Sequence, residues 1–475
     1  MLIITYPRNP DFLASLPFPF ALNPQLAQMD QLLNDRKLIL LVANDVALST
    51  PQSLGTGRPS TPVVVTLRVA VARRLQNWSY REAEQEINGS LQWRVFCALD
   101  GQHCPDHTTL NDREKLIRPT TLHRINDRVV RLAQQRGVSD GHKFRSDGSV
   151  IETHIHHPTD SSLLADSVRV VGRTLADARR VLKPRRSDQK RLMRDSHRRA
   201  QHLARQIAHA SRGPREQKSP THKANRTYAA LVKLTEQTLQ HAWQVQQLLL
   251  AKGSAAAKSL AQTLVHYLPL VQVVINQTTR RVLHGETVPA AEKIVSLFEP
   301  HSAIIQRGKA KPKATEFGRK VWYAESDGGL ITDYALLTGN PPETNQWLPS
   351  LRHHRQLFGH VPQQATADRG VYSADNEQRA KAMGVQRVVL PKPGAKDHKR
   401  QRRESQPWFK AVLRWRNGIE GRISHLRRAR GLDRCRNHGD NGMERWLGWG
   451  VIANNLIVIA RALTRPRHRT RQRTT

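Results

Sequence analysis

Cysteine is nearly absent from this chain, and acidic side chains are scarce. Its 475 residues include only Cys97, Cys104 and Cys435. An odd, widely spaced set of thiols excludes a disulfide framework and fits a reducing compartment. Asp and Glu number 39 against 76 Lys and Arg, a formal net charge of +37. That excess costs self-repulsion unless a polyanion is the usual partner, and nucleic acid is the default polyanion. The opening Met1-Leu2-Ile3-Ile4 has no basic segment before it and is too short an apolar run for a secretory signal. The longest apolar stretch, Trp446 to Leu463, carries Asn454-Asn455 in its middle and is flanked by Arg445 and Arg461. Those amides fit a buried helix in a large core rather than a membrane span. A cytoplasmic, nucleoid-associated protein without membrane contact is the expectation.

What is present can be taken in chain order. Residues 1–23 are Pro-rich and irregular, and Leu26, Met29, Leu32 and Leu33 then recur at helical spacing over Pro24 to about Val46. A Pro/Ser/Gly/Thr linker at 50–61 precedes helices at Val63–Leu75, after Trp78, and at Leu91–Leu99. Ser79 is a good N-cap for the second, with Glu82 at the capping-box position. The layout is that of a helix-turn-helix DNA binder, and equally that of an ordinary helical bundle. Cys97, Cys104 and His107 have metal-ligating chemistry, but their spacing fits no familiar zinc pairing, so buried thiols are expected. Thr120–Gly137 reads as a further helix with Gly137 as its stop.

Lys143 to Thr153 has the composition of a buried or half-buried strand, interrupted at Asp147-Gly148, where a carboxylate can project beside bare backbone. From about Ser167 to His284 the pattern is helical, and the stretch Arg179 to Lys218 is crowded with Arg, Lys and His. That stretch is a solvated hairpin or a platform for phosphates. Strand patterns return at Ala303–Ile305, Lys320–Glu325 and Leu330–Leu337, the last two joined by the hairpin turn Asp327-Gly328-Gly329. Strand Gln363–Ala367, helix Asp375–Met383 and strand Val385–Leu390 then make a parallel βαβ unit. Hairpin first and parallel strands after predict an α/β fold with a mixed sheet.

Three acids stand out against this background. Asp147 lies in the early strand, Asp368 follows a parallel strand at its ligand-binding carboxyl end, and Glu420 sits on a helix beginning near Trp408. Arg416, four residues before Glu420, and Arg427, seven after it, fall on the same helix face. Alone, such a stripe reads as a solvated salt-bridge face. Joined with the two aspartates, Glu420 completes a carboxylate triad able to hold two Mg²⁺ or Mn²⁺ ions about 3.5–4 Å apart, the arrangement that clamps an in-line phosphodiester displacement. His154, His156 and His157 are the competing ligands. Strand alternation sets His157 opposite the other two, so structural histidines are expected. Glu152 and Asp160 are the spare acids nearest Asp147.

The chain resembles the DDE transposases of bacterial insertion sequences, in particular the heterogeneous group outside the major families. Ser146-Asp147-Gly148-Ser149 through Leu164, Ala367-Asp368-Arg369-Gly370-Val371-Tyr372-Ser373, and Arg416 to Arg427 carry the likeness. Gly57-Arg58-Pro59, Trp78-Ser79-Tyr80-Arg81-Glu82 and Pro105 to Leu110 extend it toward the N-terminus. Many relatives carry Tyr, two residues, Arg, three residues, Glu, six residues, Lys. Here Arg416 and Glu420 match, while Leu413 replaces the Tyr and Arg427 the Lys. The resemblance implies an RNase H-like mixed-sheet catalytic core with a large helical insertion and an N-terminal all-α domain. The corresponding spans are a DNA-binding domain at 1–139, core at 140–166 and 301–463, insertion at 167–300, and a basic disordered tail at 464–475. It implies that Asp147, Asp368 and Glu420 bind two Mg²⁺ or Mn²⁺ ions and that Arg416 and Arg427 face the DNA ends. The activity implied is binding of terminal inverted repeats, strand cleavage and strand transfer to target DNA, by a homodimer in the synaptic complex. A catalytically inactive DNA-binding regulator and a nuclease that never joins strands are the alternatives.

Overall fold

The protein is described here from a computed structural model, covering residues 1–5, 12, 14–17, 19–49, 51–57, 59–185, 187–210, 222–306 and 315–465. Arg58, residues 211–218 of the basic stretch and all of the expected tail beyond Arg465 lie outside the described residues. The chain divides into two units, one formed by Met1–Glu152 with Lys320–Thr475, the other by Thr153–Arg319.

The first unit begins with helices α1 (Pro24–Leu33), α2 (Arg36–Ser49), α3 (Val63–Gln76), α4 (Tyr80–Gly89), α5 (Leu91–Phe96), α6 (His107–Lys115) and α7 (Pro119–Gln135). The helical spacing over Pro24 to about Val46 is realised as two helices. Asn34 caps the end of α1, and the Asp35 side chain accepts from the Leu38 amide at 3.1 Å to start the next. The capping box of α4 forms as read, with Ser79 N–H donating to Glu82 at 2.7 Å and Glu82 N–H donating to the Ser79 hydroxyl at 3.2 Å. Gly137, at φ +68°, follows α7 in the left-handed region that favours glycine.

Strand β1 (Lys143–Thr153) is continuous. Asp147-Gly148 therefore lies inside the strand and does not interrupt it. Most of the second unit follows: helices α8 (Asp160–Leu182), α9 (Ser187–Leu192), α10 (His197–Ala210), α11 (His222–Lys252) and α12 (Ala255–Thr278), then strand β2 (Ala303–Gln306). Its helices enclose a core of their own, including Leu164, Val171, Leu231, Ala242, Leu264 and Val271. Residues 315–318 of β3 (Thr315–Ser326) pair antiparallel with β2.

In the first unit β3 continues and pairs antiparallel with β4 (Ile331–Leu337) across the turn containing Gly328 and Gly329, at φ +75° and +79°. After α13 (Thr344–Phe358) come β5 (Gln364–Thr366), α14 (Ala374–Ala382) and β6 (Arg387–Val389), with β1, β5 and β6 mutually parallel. Helices α15 (His398–Ser405) and α16 (Pro407–Ala429), the short strand β7 (Arg434–Cys435) beside β1, and α17 (Asp440–Thr464) complete the unit. The sheet is mixed and the fold is α/β, as the hairpin and βαβ patterns predict.

Side-chain alternation along β3 divides the core. Trp322 and Ala324 face Phe144, Trp347, Leu351 and Val388 on one side, whereas Val321 and Tyr323 face Ile419, Ile423, Leu426 and Trp446 on the other. Helix α17 is buried over Trp446–Leu456, and its far end packs with α1, α3 and α7 in a third cluster. It is long and apolar enough to cross a membrane, yet 72% of that stretch is buried inside the protein. Its two central amides are buried, and Asn455 is fully engaged. Its Oδ1 accepts from Ile331 N at 2.9 Å while its Nδ2 donates to Ile331 O at 2.8 Å and to Asn126 at 2.9 Å. Asn455 thus joins α17 to β4 and α7.

Candidate active site

Helix α16 reaches the sheet at a glycine. A Cβ on Gly418 would stand 2.5 Å from Nη1 of Arg145, so a bare residue is what lets the helix descend onto β1. Arg145 makes a two-pronged pair with Glu325 of β3, Nε at 2.9 Å and Nη2 at 2.8 Å, donates to the Trp415 carbonyl, and lies over the Trp415 ring at 4.6 Å. Arg422, further along α16, meets the same Glu325 at 3.3 Å. Glu325 is fully buried, and its charge is met by two arginines. It fastens α16 to the sheet. Sequence reasoning passed over it, although an acid closing the apolar run Val321–Ala324 was the available signal.

With the helix held there, the predicted acids meet one guanidinium. Arg416 Nη2 lies 3.3 Å from Asp147 Oδ2 and 3.4 Å from Asp368 Oδ1, and its Nη1 lies 3.7 Å from Glu420 Oε1. Three carboxylates from β1, the end of β5 and α16 therefore share a single positive group. Asp147 is 16% exposed, against 52% for Asp368 and 68% for Glu420, so the cluster has a buried floor and an open rim. As they stand, no three Asp, Glu, His or Cys side chains among the described residues are grouped so as to hold a metal ion. The gap between the acids is taken by Arg416.

Burial pushes the Asp147 carboxyl up to about 6. Arg416 and the Gly148 N–H, which donates to Oδ1 at 2.8 Å, pull the other way, and the nearby charges of Asp368 and Glu343 raise it further. Glu343 is a second residue that sequence reasoning missed. It sits before α13, 3.2 Å from Lys320, and its Oε1 would stand 2.2 Å from a Cβ on Gly148. Only a glycine leaves it that space.

The remaining candidates are elsewhere. Arg427 donates from Nε to Asp433 at 2.7 Å, away from the Arg416 cluster, because the chain turns after α16 and presents that acid to it. Glu152 pairs with Arg434 at 2.6 Å, and Asp160 lies 3.0 Å from Arg281 within the second unit. The histidine reading needs correction: β1 ends at Thr153, so strand alternation does not extend to His154, His156 and His157. His156 approaches Asp166 at 3.6 Å, and His157 meets the Phe317 ring edge-to-face. Cys97 and Cys104 are buried, and the Cys104 thiol is pushed up to about 12 by burial. His107 Nδ1 lies 2.9 Å from Glu84.

Two families match the chain. "Transposase domain (DUF772)" matches residues 20–115, and "Transposase DDE domain" matches residues 287–456. The chain is a DDE-type transposase, as in bacterial insertion sequences. No curated protein and no solved structure gives a match. The transposase DDE match includes Asp368, Arg416, Glu420 and Arg427, while Asp147 lies outside both matched segments. The first match falls on the N-terminal helices of this DNA-acting enzyme.

Proposed function

We propose that this transposase binds the terminal inverted repeats of an insertion sequence and uses Asp147, Asp368 and Glu420 to cut DNA strands and join them to a target. One observation carries the reading: these acids, 221 and 52 residues apart in sequence, stand around one guanidinium at 3.3, 3.4 and 3.7 Å. The β1, β5 and β6 arrangement, with an acid on β1, another past β5 and a third on the helix crossing the sheet, supports an RNase H-like core. The helical block 167–300 is then its insertion, and the N-terminal helices its DNA-binding domain.

The donor set fits divalent cations. Carboxylate oxygens with a buried floor and a solvent-open rim suit Mg²⁺ or Mn²⁺, and the place they surround already stabilises positive charge. Asp147, Asp368 and Glu420 would hold the ions. Bound there, divalent ions would supply Lewis-acid stabilisation of the charge that develops on the attacking and leaving oxygens. The protein's own groups do the rest. Asp147 must give up the proton its buried carboxyl retains below about pH 6. Glu325 holds α16 so that Glu420 stays over β1. Arg416 and Arg427 supply positive charge for the DNA ends on the same helix. Helix α10 has no acidic residue and exposes Arg198, Arg199 and Arg205, a surface suited to the DNA backbone. Two ends must be brought together, so the working form is a homodimer.

The test is incubation of the full chain and Mg²⁺ with duplexes carrying the element's own ends and a supercoiled plasmid. End-joined plasmid is expected. Cutting without joining would leave a nuclease, and binding with neither would leave a regulator.

A further inference from the structure

Two other buried arginines of this protein are each held by a fork of hydrogen bonds to one carboxylate. Arg145 grips Glu325 through Nε and Nη2 at 2.9 and 2.8 Å, and Arg73 grips Glu114 through Nε and Nη2 at 3.2 and 2.7 Å. Both are two-pronged, each committed to one carboxylate. Arg416 is committed to none. Its three contacts fall between 3.3 and 3.7 Å, longer than a good charged hydrogen bond at about 2.7–2.9 Å, and its Nε is buried without a partner. A guanidinium that forgoes a close pair to sit among three acids is placed by their summed field rather than by a fork of hydrogen bonds.

We infer that Arg416 is a displaceable stand-in for the cation, and that its release on cation binding makes it available to a DNA phosphate, so that the two ligands bind cooperatively. The inference rests on the proposal that the three acids are the cation site. A divalent ion needs oxygens at about 2.0–2.6 Å, and the carboxylates cannot close on an ion while a guanidinium stands between them. Expelled from that place, a group 11% exposed has lost three anionic neighbours, and the phosphate brought to the acids is the anion that replaces them. Reciprocity follows: a phosphate that draws Arg416 away must tighten cation binding by the same factor as the cation tightens DNA binding. The departure of Arg416 opens the site, so its charge serves first to hold the acids together and then to hold the substrate.

The test uses Ca²⁺, a hard oxygen-seeking cation, titrated calorimetrically into DNA-free full-length protein, with DNA affinity measured separately with and without Ca²⁺. R416Q should bind Ca²⁺ at least ~5-fold more tightly than wild type, because its competitor is gone. R416K, whose point charge cannot span three acids, should fall between them. Ca²⁺ should tighten DNA binding by wild type several-fold and leave R416Q unchanged. D147N serves as the control for the site itself. Loss of Ca²⁺ binding in D147N, with R416Q and R416K no tighter than wild type and folded by circular dichroism, overturns the stand-in role alone. Undiminished Ca²⁺ binding in D147N overturns the cation site and the inference with it. If R416Q does not fold, the comparison of R416K with wild type decides.

Discussion

Replacing Asp147 by asparagine keeps the shape of the residue and removes a charge that the folded protein holds at a cost. The carboxyl, ordinarily near 3.8, is pushed up to about 6, chiefly by burial, so its ionised form is disfavoured even with Arg416 3.3 Å away. At about 1.4 kcal/mol per pH unit, the difference amounts to about 3 kcal/mol as a ceiling, relaxation of the site lowering it. The sign follows from proton binding. Between pH 3.8 and about 6 the folded protein retains a proton that the unfolded chain has lost, so stability falls as pH rises through that window and stays reduced above it. D147N escapes the penalty. Its melting temperature should exceed that of wild type by a few degrees at pH 8, and the two should converge at pH 3.5. Adding Mn²⁺ at pH 8 should stabilise wild type and leave D147N unmoved, reversing or closing the gap. A D147N protein less stable than wild type at pH 8 without metal would show that the carboxylate is held at a gain, and the reasoning fails.

Three further substitutions probe the scaffold. Gly418→Ala would ordinarily stabilise a helix by about 1 kcal/mol, but its Cβ would stand 2.5 Å from Arg145, which is fixed by Glu325 and Trp415, so a net loss of about 1–3 kcal/mol is expected in urea unfolding. Glu325→Gln leaves Arg145 and Arg422 without a buried counter-charge and should cost about 3–5 kcal/mol, with Ca²⁺ affinity falling as α16 loosens. Asn455→Ala strands the Ile331 N–H and the Asn126 Oδ1, while Asn126 Nδ2 still donates to the Ile331 carbonyl at 3.1 Å, and should cost about 1–3 kcal/mol by thermal denaturation. A neutral result for any of these would show that the contact in question bears no load.

Local signals in the sequence carried much of this. Ser79 and Glu82 announce a helix start, Asp327-Gly328-Gly329 a hairpin, and Gln363 to Leu390 a parallel unit, because each depends on neighbours a few residues away. The meeting of Asp147, Asp368 and Glu420 was legible only through residue type and resemblance, since spacing along the chain places no side chain across a sheet. Arg427 shows the limit of helix periodicity. A helical wheel sets it on the Glu420 face, and it cannot foresee that the chain turns and brings Asp433 to it. The histidines after Thr153 fail for a related reason: alternation holds only while the strand lasts. Long-range packing was equally hidden, for nothing in α17 announces that its apolar face would meet α1 and α3, more than 350 residues earlier. Nor does composition separate the fully buried Arg68 and Arg74 from the exposed arginines.

The most direct test of the central claim is Mg²⁺-dependent nicking of a duplex carrying the element's own ends by wild type, D147A, D368A and E420A, each confirmed to be folded and to bind that duplex. Nicking by wild type and its loss in all three variants is the predicted result. Equal nicking by wild type and all three would contradict the account.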